Sequence, residues 1–327
     1  MDEGSIPKAK HGTLTRRRLL ASGSVSLACA ISGCARNQSM PGAADMSVDP
    51  SPTADPSLSS APSRSGSATA IPQDPLAHLD PALWVEGTAD NMRKLPVTPH
   101  PTPIPAPGTP SPTDPQHPGL EDPALVSARD ALTRFLSAAF LSPAQYMHKS
   151  WEDQRKLLIA YAPTTWAQEL QSAWTQDNGY FFRTAFADAY AIVGSPRMCA
   201  SWYVESTNPA ANRLIFGGVI AYTVLNPART RAGIYAVRVG ASLPTSESAI
   251  GSSTKTMQAA VSGLDVCASK AHQGMVIPAL ADNPTDQRVQ RLTMEHVINH
   301  PTVTPSDLDN RNSALNQGDP QTATFCP

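Results

Sequence analysis

The stretch Arg213-Leu214-Ile215-Phe216-Gly217-Gly218-Val219-Ile220-Ala221-Tyr222-Thr223-Val224-Leu225 decides the fold. It is rich in β-branched and aromatic residues and carries one charge, at its start. Such a run predicts a long apolar strand, stopped by Asn226-Pro227. Gly217-Gly218 marks a bulge or bend within it. Upstream, Tyr190 to Val193 and Arg197 to Glu205 read as two further strands, with Thr207-Asn208-Pro209 as the turn. Downstream, Gly233 to Val239 reads as another.

Before the strands the apolar period changes from that of a sheet to that of a helix. Pro123 opens a helix at a favoured first-turn position, and Leu125, Ala128, Leu132, Phe135, Leu136 and Ala139 share one face. Ser142-Pro143 ends it. Ser150 to Asp153 reads as a capping box before a second helix with Leu157 and Leu158, closed by Pro163. Thr165 to Gln168 reads as another box, opening a helix with Trp166, Leu170 and Trp174. Helices first and then an antiparallel meander define an α+β class, with the N-terminal helices packed on one face of a curved sheet.

That order, over roughly residues 122–242, resembles the NTF2-like and cystatin-like cone domains of actinobacterial envelope and conjugation proteins. The resemblance lies in architecture and in the glycine bend, and no catalytic residue is carried over with it. It implies a binding domain or, alternatively, a cone-fold enzyme with a pocket between helices and sheet.

The first 34 residues have a different character. Thr15-Arg16-Arg17-Arg18 is basic, and Leu19 to Gly33 is a weakly apolar run of small residues. At about fifteen residues it has signal-peptide length and is too short to span a bilayer. Ile31-Ser32-Gly33-Cys34 follows. The segment resembles a bacterial lipoprotein signal. The resemblance implies cleavage before Cys34, a diacylglyceryl group on its thiol, and anchoring at the outer face of the cell membrane. Arg16 and Arg17 fit the twin-arginine export route, and the general secretory route stays open.

Composition divides the rest. Of 32 prolines, 20 lie at or before Pro123, so residues 34–120 cannot supply a sheet or a core and read as a disordered tether. As a flexible coil it would average on the order of 50 Å end to end. One island, Ala82 to Val85 and Met92 to Leu95, has helical spacing and reads as a transient helix, with docking on the domain as the alternative. The expected division is a signal over 1–33, a tether over 34–120, a domain over 121–300 with its core in 122–242, and a disordered tail over 301–327. Removing residues 1–33 takes five basic and two acidic residues and leaves a net charge of −5. A mildly acidic chain points away from nucleic acid and towards an envelope protein as partner.

Cys199, Cys267 and Cys326 remain in an exported chain. Cys199 lies in a strand pattern and Cys267 just after the folded block, so these two are the expected disulfide, with three unpaired thiols as the alternative. Met257 to Cys267 reads as a short helix or a strand, and Pro284 to His300 as a helix.

Chemical motifs are sparse. Ser252-Ser253-Thr254-Lys255 has Ser-x-x-Lys spacing but lacks the partner motifs of penicillin-interacting enzymes. His296 and His300 share a helix face, yet no third ligand is near and no metal or cofactor is expected. Trp151, Trp166 and Trp174 read as core. Asp188, Tyr190 and Tyr222 are the residues that would line a cone pocket. The expectation is therefore a non-catalytic binding or scaffolding domain.

Overall fold

Every residue of strand β4 (Asn212–Leu225) after Asn212 is buried, which fixes the number of layers. Side chains alternate across a strand, so a strand buried throughout needs cover on both faces. In the computed structural model, residues 72–99, 122–206, 212–245, 257–299, 301–310, 312–313, 315 and 320–325 are described. Leu214, Phe216, Ile220, Tyr222 and Val224 face one side and join the main core, which includes Leu125, Leu132, Phe135, Trp166 and Trp174. Ile215, Val219 and Ala221 face the other and pack in two smaller clusters containing Trp84, Val297, Val303 and Leu308.

The first cover is α2 (Pro123–Leu136), α3 (Trp151–Tyr161) and α4 (Ala167–Ala173). The Asp122 carboxylate caps α2 and Pro123 opens it, so the apolar face starts where sequence period places it. Ser150 caps α3 by accepting from the Asp153 amide. The expected cap at Thr165 is absent: Thr164–Trp166 form a 3-10 turn that runs directly into α4.

The sheet runs β1 (Val85–Glu86), β3 (Ala191–Ser206), β4, β5 (Ala232–Pro244), β6 (Met257–Ser262), antiparallel throughout that order. The two upstream strands read from the sequence are one strand, β3, with a bulge between Val193 and Arg197. No bulge occurs at Gly217-Gly218, where the register with both neighbours is continuous. A Cβ on Gly217 would lie 2.2 Å from the Val303 carbonyl oxygen, so this glycine permits close approach of the C-terminal segment.

Two expected boundaries are corrected. The tether does not run unbroken to residue 120, because residues 72–99 are built into the fold. Leu76, Trp84, Met92 and Leu95 are buried, α1 (Ala89–Lys94) is capped by Thr88, and β2 (Val97–Pro99) pairs in parallel with β3. The Trp202 indole N–H donates to the Met92 carbonyl at 2.8 Å. The physical reason is the open edge of β3, whose backbone groups need partners, and β1 and β2 supply them. The tail is likewise structured where described. After α6 (Pro284–Asn299), α7 (Pro305–Asp309) follows, with Val303, Leu308 and Leu315 buried on the sheet. Arg213 holds α7 through Asp309 at 2.8 Å and also pairs with Glu205 at 2.8 Å. The expected Met257–Cys267 element is β6, then β7 (Leu264–Asp265), leading into α5 (Val266–Ala271); β7 pairs in parallel with β8 (Ala323–Thr324). Residues 34–71 and 100–121 of the expected tether lie outside the described residues.

Candidate functional site

The three residues expected to line a cone pocket are not brought together. Asp188 is exposed and meets His148 at 3.0 Å on the surface. Tyr222 is fully buried and donates to the Phe140 carbonyl. Burial pushes its hydroxyl well above the ordinary tyrosine range, with Tyr235 adding to the effect. Tyr190 is half-buried, and burial, then Asp265 and Asp286, raise it. Phe186 stacks edge-on against Tyr222 and Tyr235, with ring centroids 5.5 and 5.4 Å apart.

Behind this aromatic layer sits a buried cation. Arg183 lies 5.2 Å from the Trp174 ring and 5.8 Å from the Tyr146 ring. It donates to the Gln154 amide oxygen and, at 3.1 Å, to the Gly274 carbonyl. Burial pushes it down to about 10, with Tyr146 and Tyr235 acting the other way. It is sealed from solvent, so it ties α3 to the 274–275 loop and is not a ligand site.

The remaining expected residues have separate fates. Trp166 and Trp174 are core, but Trp151 is half-buried on α3 with the Arg155 guanidinium 5.0 Å from its ring. His296 meets the Arg238 guanidinium at 2.7 Å through Nε2; His300 and Ser252 to Lys255 lie outside the described residues. Among the described residues no three metal-ligating side chains come together. The expected Cys199–Cys267 pair is corrected. Cys199 is a free thiol, buried against Val219 and Ala221 on the outer sheet face. Cys267 is disulfide-bonded to a cysteine outside the described residues. Cys34, expected to carry the anchor, and Arg16 and Arg17, expected in an export signal, also lie outside them.

Accessible polar groups instead converge beside α2. Its last turn widens into a π-helical turn, Ser137–Leu141, a distortion often found at functional sites. The widened turn turns carbonyls outward, and tertiary donors satisfy them. Ala138 accepts from Gln145 Nε2 at 2.6 Å and from the Tyr146 hydroxyl at 2.9 Å. Ala139 accepts from the Thr184 amide at 2.8 Å, and Phe140 from Tyr222. On its outer side this turn forms one wall of an open groove of about 380 Å³. Arg93, Asp130, Arg134, Ser142, Gln145 and Tyr161 line it with Ser137. Arg93 is engaged by Asp90 at 3.0 Å and Asp130 at 3.5 Å. A second open depression, of about 620 Å³, shares Asp130 and Arg134 with it and is lined further along α2 by Pro123, Val126, Ser127 and Ala131.

Residue pattern alone does not mark this site. Asp130 and Arg134 are four apart on α2, a spacing common on solvated helix faces. The π-helical turn, which positions Ser137, follows from tertiary donors far along the chain.

Comparison with protein-family models, with curated proteins and with solved structures finds no match for this chain. The fold and these surface grooves are therefore what define it: an α+β domain covered on both sheet faces, with open polar grooves beside α2 among the described residues.

Proposed function

We propose that this chain is a lipid-anchored cell-envelope protein whose domain binds a partner without transforming it. The single observation that supports the binding reading is the filled interior. Phe186 packs edge-on against Tyr222 and Tyr235 in the main core, and Asp188 stands apart from them on the surface. Arg93, Asp130, Arg134 and Tyr161 line an open groove, a shape suited to docking. Residues 15–34 support the anchor, with Cys34 as the acylated residue and Arg16-Arg17 as export signal. No helix among the described residues is long and apolar enough to cross a membrane. The order of helices before an antiparallel meander supports kinship with NTF2-like cone domains. An anchored domain gains effective concentration for a membrane-proximal partner without new contacts.

Protease shaving of intact spheroplasts expressing the full chain tests this reading. Cleavage should fall outside residues 122–206, in the proline-rich stretches, and release the domain into the supernatant. Complete protection until the spheroplasts are lysed would place the domain inside the cell and overturn the proposal.

A further inference from the structure

We propose that Met275 is an oxidant-accepting site: a peroxide converts its thioether to a sulfoxide, and the Arg183 guanidinium receives the new oxygen. This goes beyond the binding reading above and does not depend on it. The first support is a buried cation with one end poorly matched. Arg183 is fully buried, and no carboxylate pairs with it among the described residues. Its Nε donates to the Gln154 amide oxygen and its Nη1 to the Gly274 carbonyl. Its Nη2 has only the Met275 sulfur, at 3.6 Å. Gln154 Nε2 also approaches that sulfur, at 3.4 Å, while donating to the Tyr146 and Lys149 carbonyls at 3.0 and 2.9 Å. A thioether is a weak acceptor, so the Nη2 hydrogens of a charge sealed from water lack a partner of matching strength.

The second support is access. Met275 is half-buried and follows the exposed residues Ala271, His272 and Gln273, whereas Gln154 and Arg183 are sealed from solvent. The turn that presents it is fixed. Gln273 and Gly274 take positive φ of 56° and 71°, and the Gly274 and Met275 amides donate to the Ser269 and His272 carbonyls at 2.8 and 3.0 Å. In the reaction a sulfur lone pair attacks one oxygen of hydrogen peroxide; the S–O bond forms and the O–O bond breaks. Sulfur is oxidised and the peroxide reduced, and the departing hydroxide takes the proton from the transferred oxygen and leaves as water. A sulfoxide oxygen in a packed site commonly disrupts the packing around it. Here a guanidinium already meets the sulfur, and a charge-assisted hydrogen bond is about twice as strong as a neutral one. Oxidation should therefore tighten the junction of α3 with residues 274–275. Met147, 45% exposed and with no donor at its sulfur among the described residues, is the contrast.

The test treats the full chain in detergent with hydrogen peroxide, beside a Met275→Leu variant of similar side-chain volume. Peptide mass mapping follows the gain of one oxygen at each methionine, and near-ultraviolet circular dichroism gives Tm before and after. Met275 should convert along with Met147, while the fully buried Met92 and Met198 stay unmodified. The change in Tm on oxidation should be no more negative in the parent than in Met275→Leu, because the variant suffers the same damage elsewhere without the new bond. Arginine labelled with ¹⁵N reports the donor directly without altering the core. The Arg183 Nε–Hε signal should move on oxidation of the parent and stay in place in Met275→Leu. Met275 left unmodified once Met147 has fully converted overturns the proposal, as does a larger loss of Tm in the parent than in Met275→Leu. An Arg183 signal that does not move in a parent oxidised at Met275 overturns the role given to the guanidinium.

Discussion

Trp84→Ala should destabilise the domain strongly, although Trp84 lies 39 residues before Pro123, where α2 begins. Trp84 is 4% exposed and packs with Leu76, Cys199, Val219, Ala221, Ile234 and Val297 on the outer sheet face. Truncating a buried tryptophan costs about 3–5 kcal/mol, from lost transfer energy and the cavity left behind. Total stability of a domain is about 5–15 kcal/mol, so this is a large share of it. For a domain of this size each kcal/mol moves Tm by about 2–4 °C, which gives a loss of roughly 6–20 °C. The neighbouring Leu83 is 57% exposed, so Leu83→Ala is the matched control and should stay within about 0.5 kcal/mol of the parent. Thermal unfolding followed by near-ultraviolet circular dichroism measures both. Equal Tm values for Trp84→Ala and Leu83→Ala would refute the docking of residues 72–99 and restore an unbroken tether.

Three further expectations follow from particular contacts. Burial raises the hydroxyls of Tyr146, Tyr222 and Tyr235, and raises that of Tyr180 to about 12. Their folded values lie above the unfolded value near 10, so their contribution is complete below about pH 10 and is lost as pH rises through the folded values. Arg183, held at about 10 when folded, opposes this between about pH 10 and 12.5, but one group faces four. Urea midpoints should therefore fall steeply above about pH 10, and a flat or rising profile would contradict the burial of these rings. Gly217→Ala places a methyl against the Val303 carbonyl and should cost about 1–3 kcal/mol while opening residues 301–310 to protease; unchanged Tm and digestion would refute that contact. Cys267 is disulfide-bonded and Cys199 is a free buried thiol, and Cys326 is the other cysteine expected in the exported chain. Non-reducing peptide mapping should give a Cys267–Cys326 linked peptide with Cys199 free, and any disulfide to Cys199 would contradict it.

The α+β class and the main helical face were legible because they are local. Leu125, Leu132 and Phe135 repeat at helical period, and Leu214 to Leu225 is too apolar for anything but a packed strand. What was illegible depends on distant partners. Trp84 and Met92 sit among prolines, and only the unpaired edge of β3 makes a place for them. Val303 and Leu308 are isolated apolar residues in a polar tail, and Gly217 creates the space they use. Gly217-Gly218 was visible as a pair, but its use in close packing cannot be distinguished by sequence from a bulge. The groove was hidden for the same reason, since Ser137 is placed by a π-helical turn whose carbonyls are satisfied by Gln145, Tyr146, Thr184 and Tyr222.

The anchor is the centre of the functional account, and detergent phase partitioning tests it most directly. The full chain and its Cys34→Ala variant would be expressed in a bacterium that processes lipoproteins, and membranes would be extracted into a detergent that separates on warming. Two acyl chains hold a protein in the detergent phase, whereas the described domain has no apolar span of its own. The account predicts that the parent enters the detergent phase with its signal removed, while Cys34→Ala accumulates at precursor length without acyl label. Equal processing and equal acyl labelling of the two proteins would contradict it.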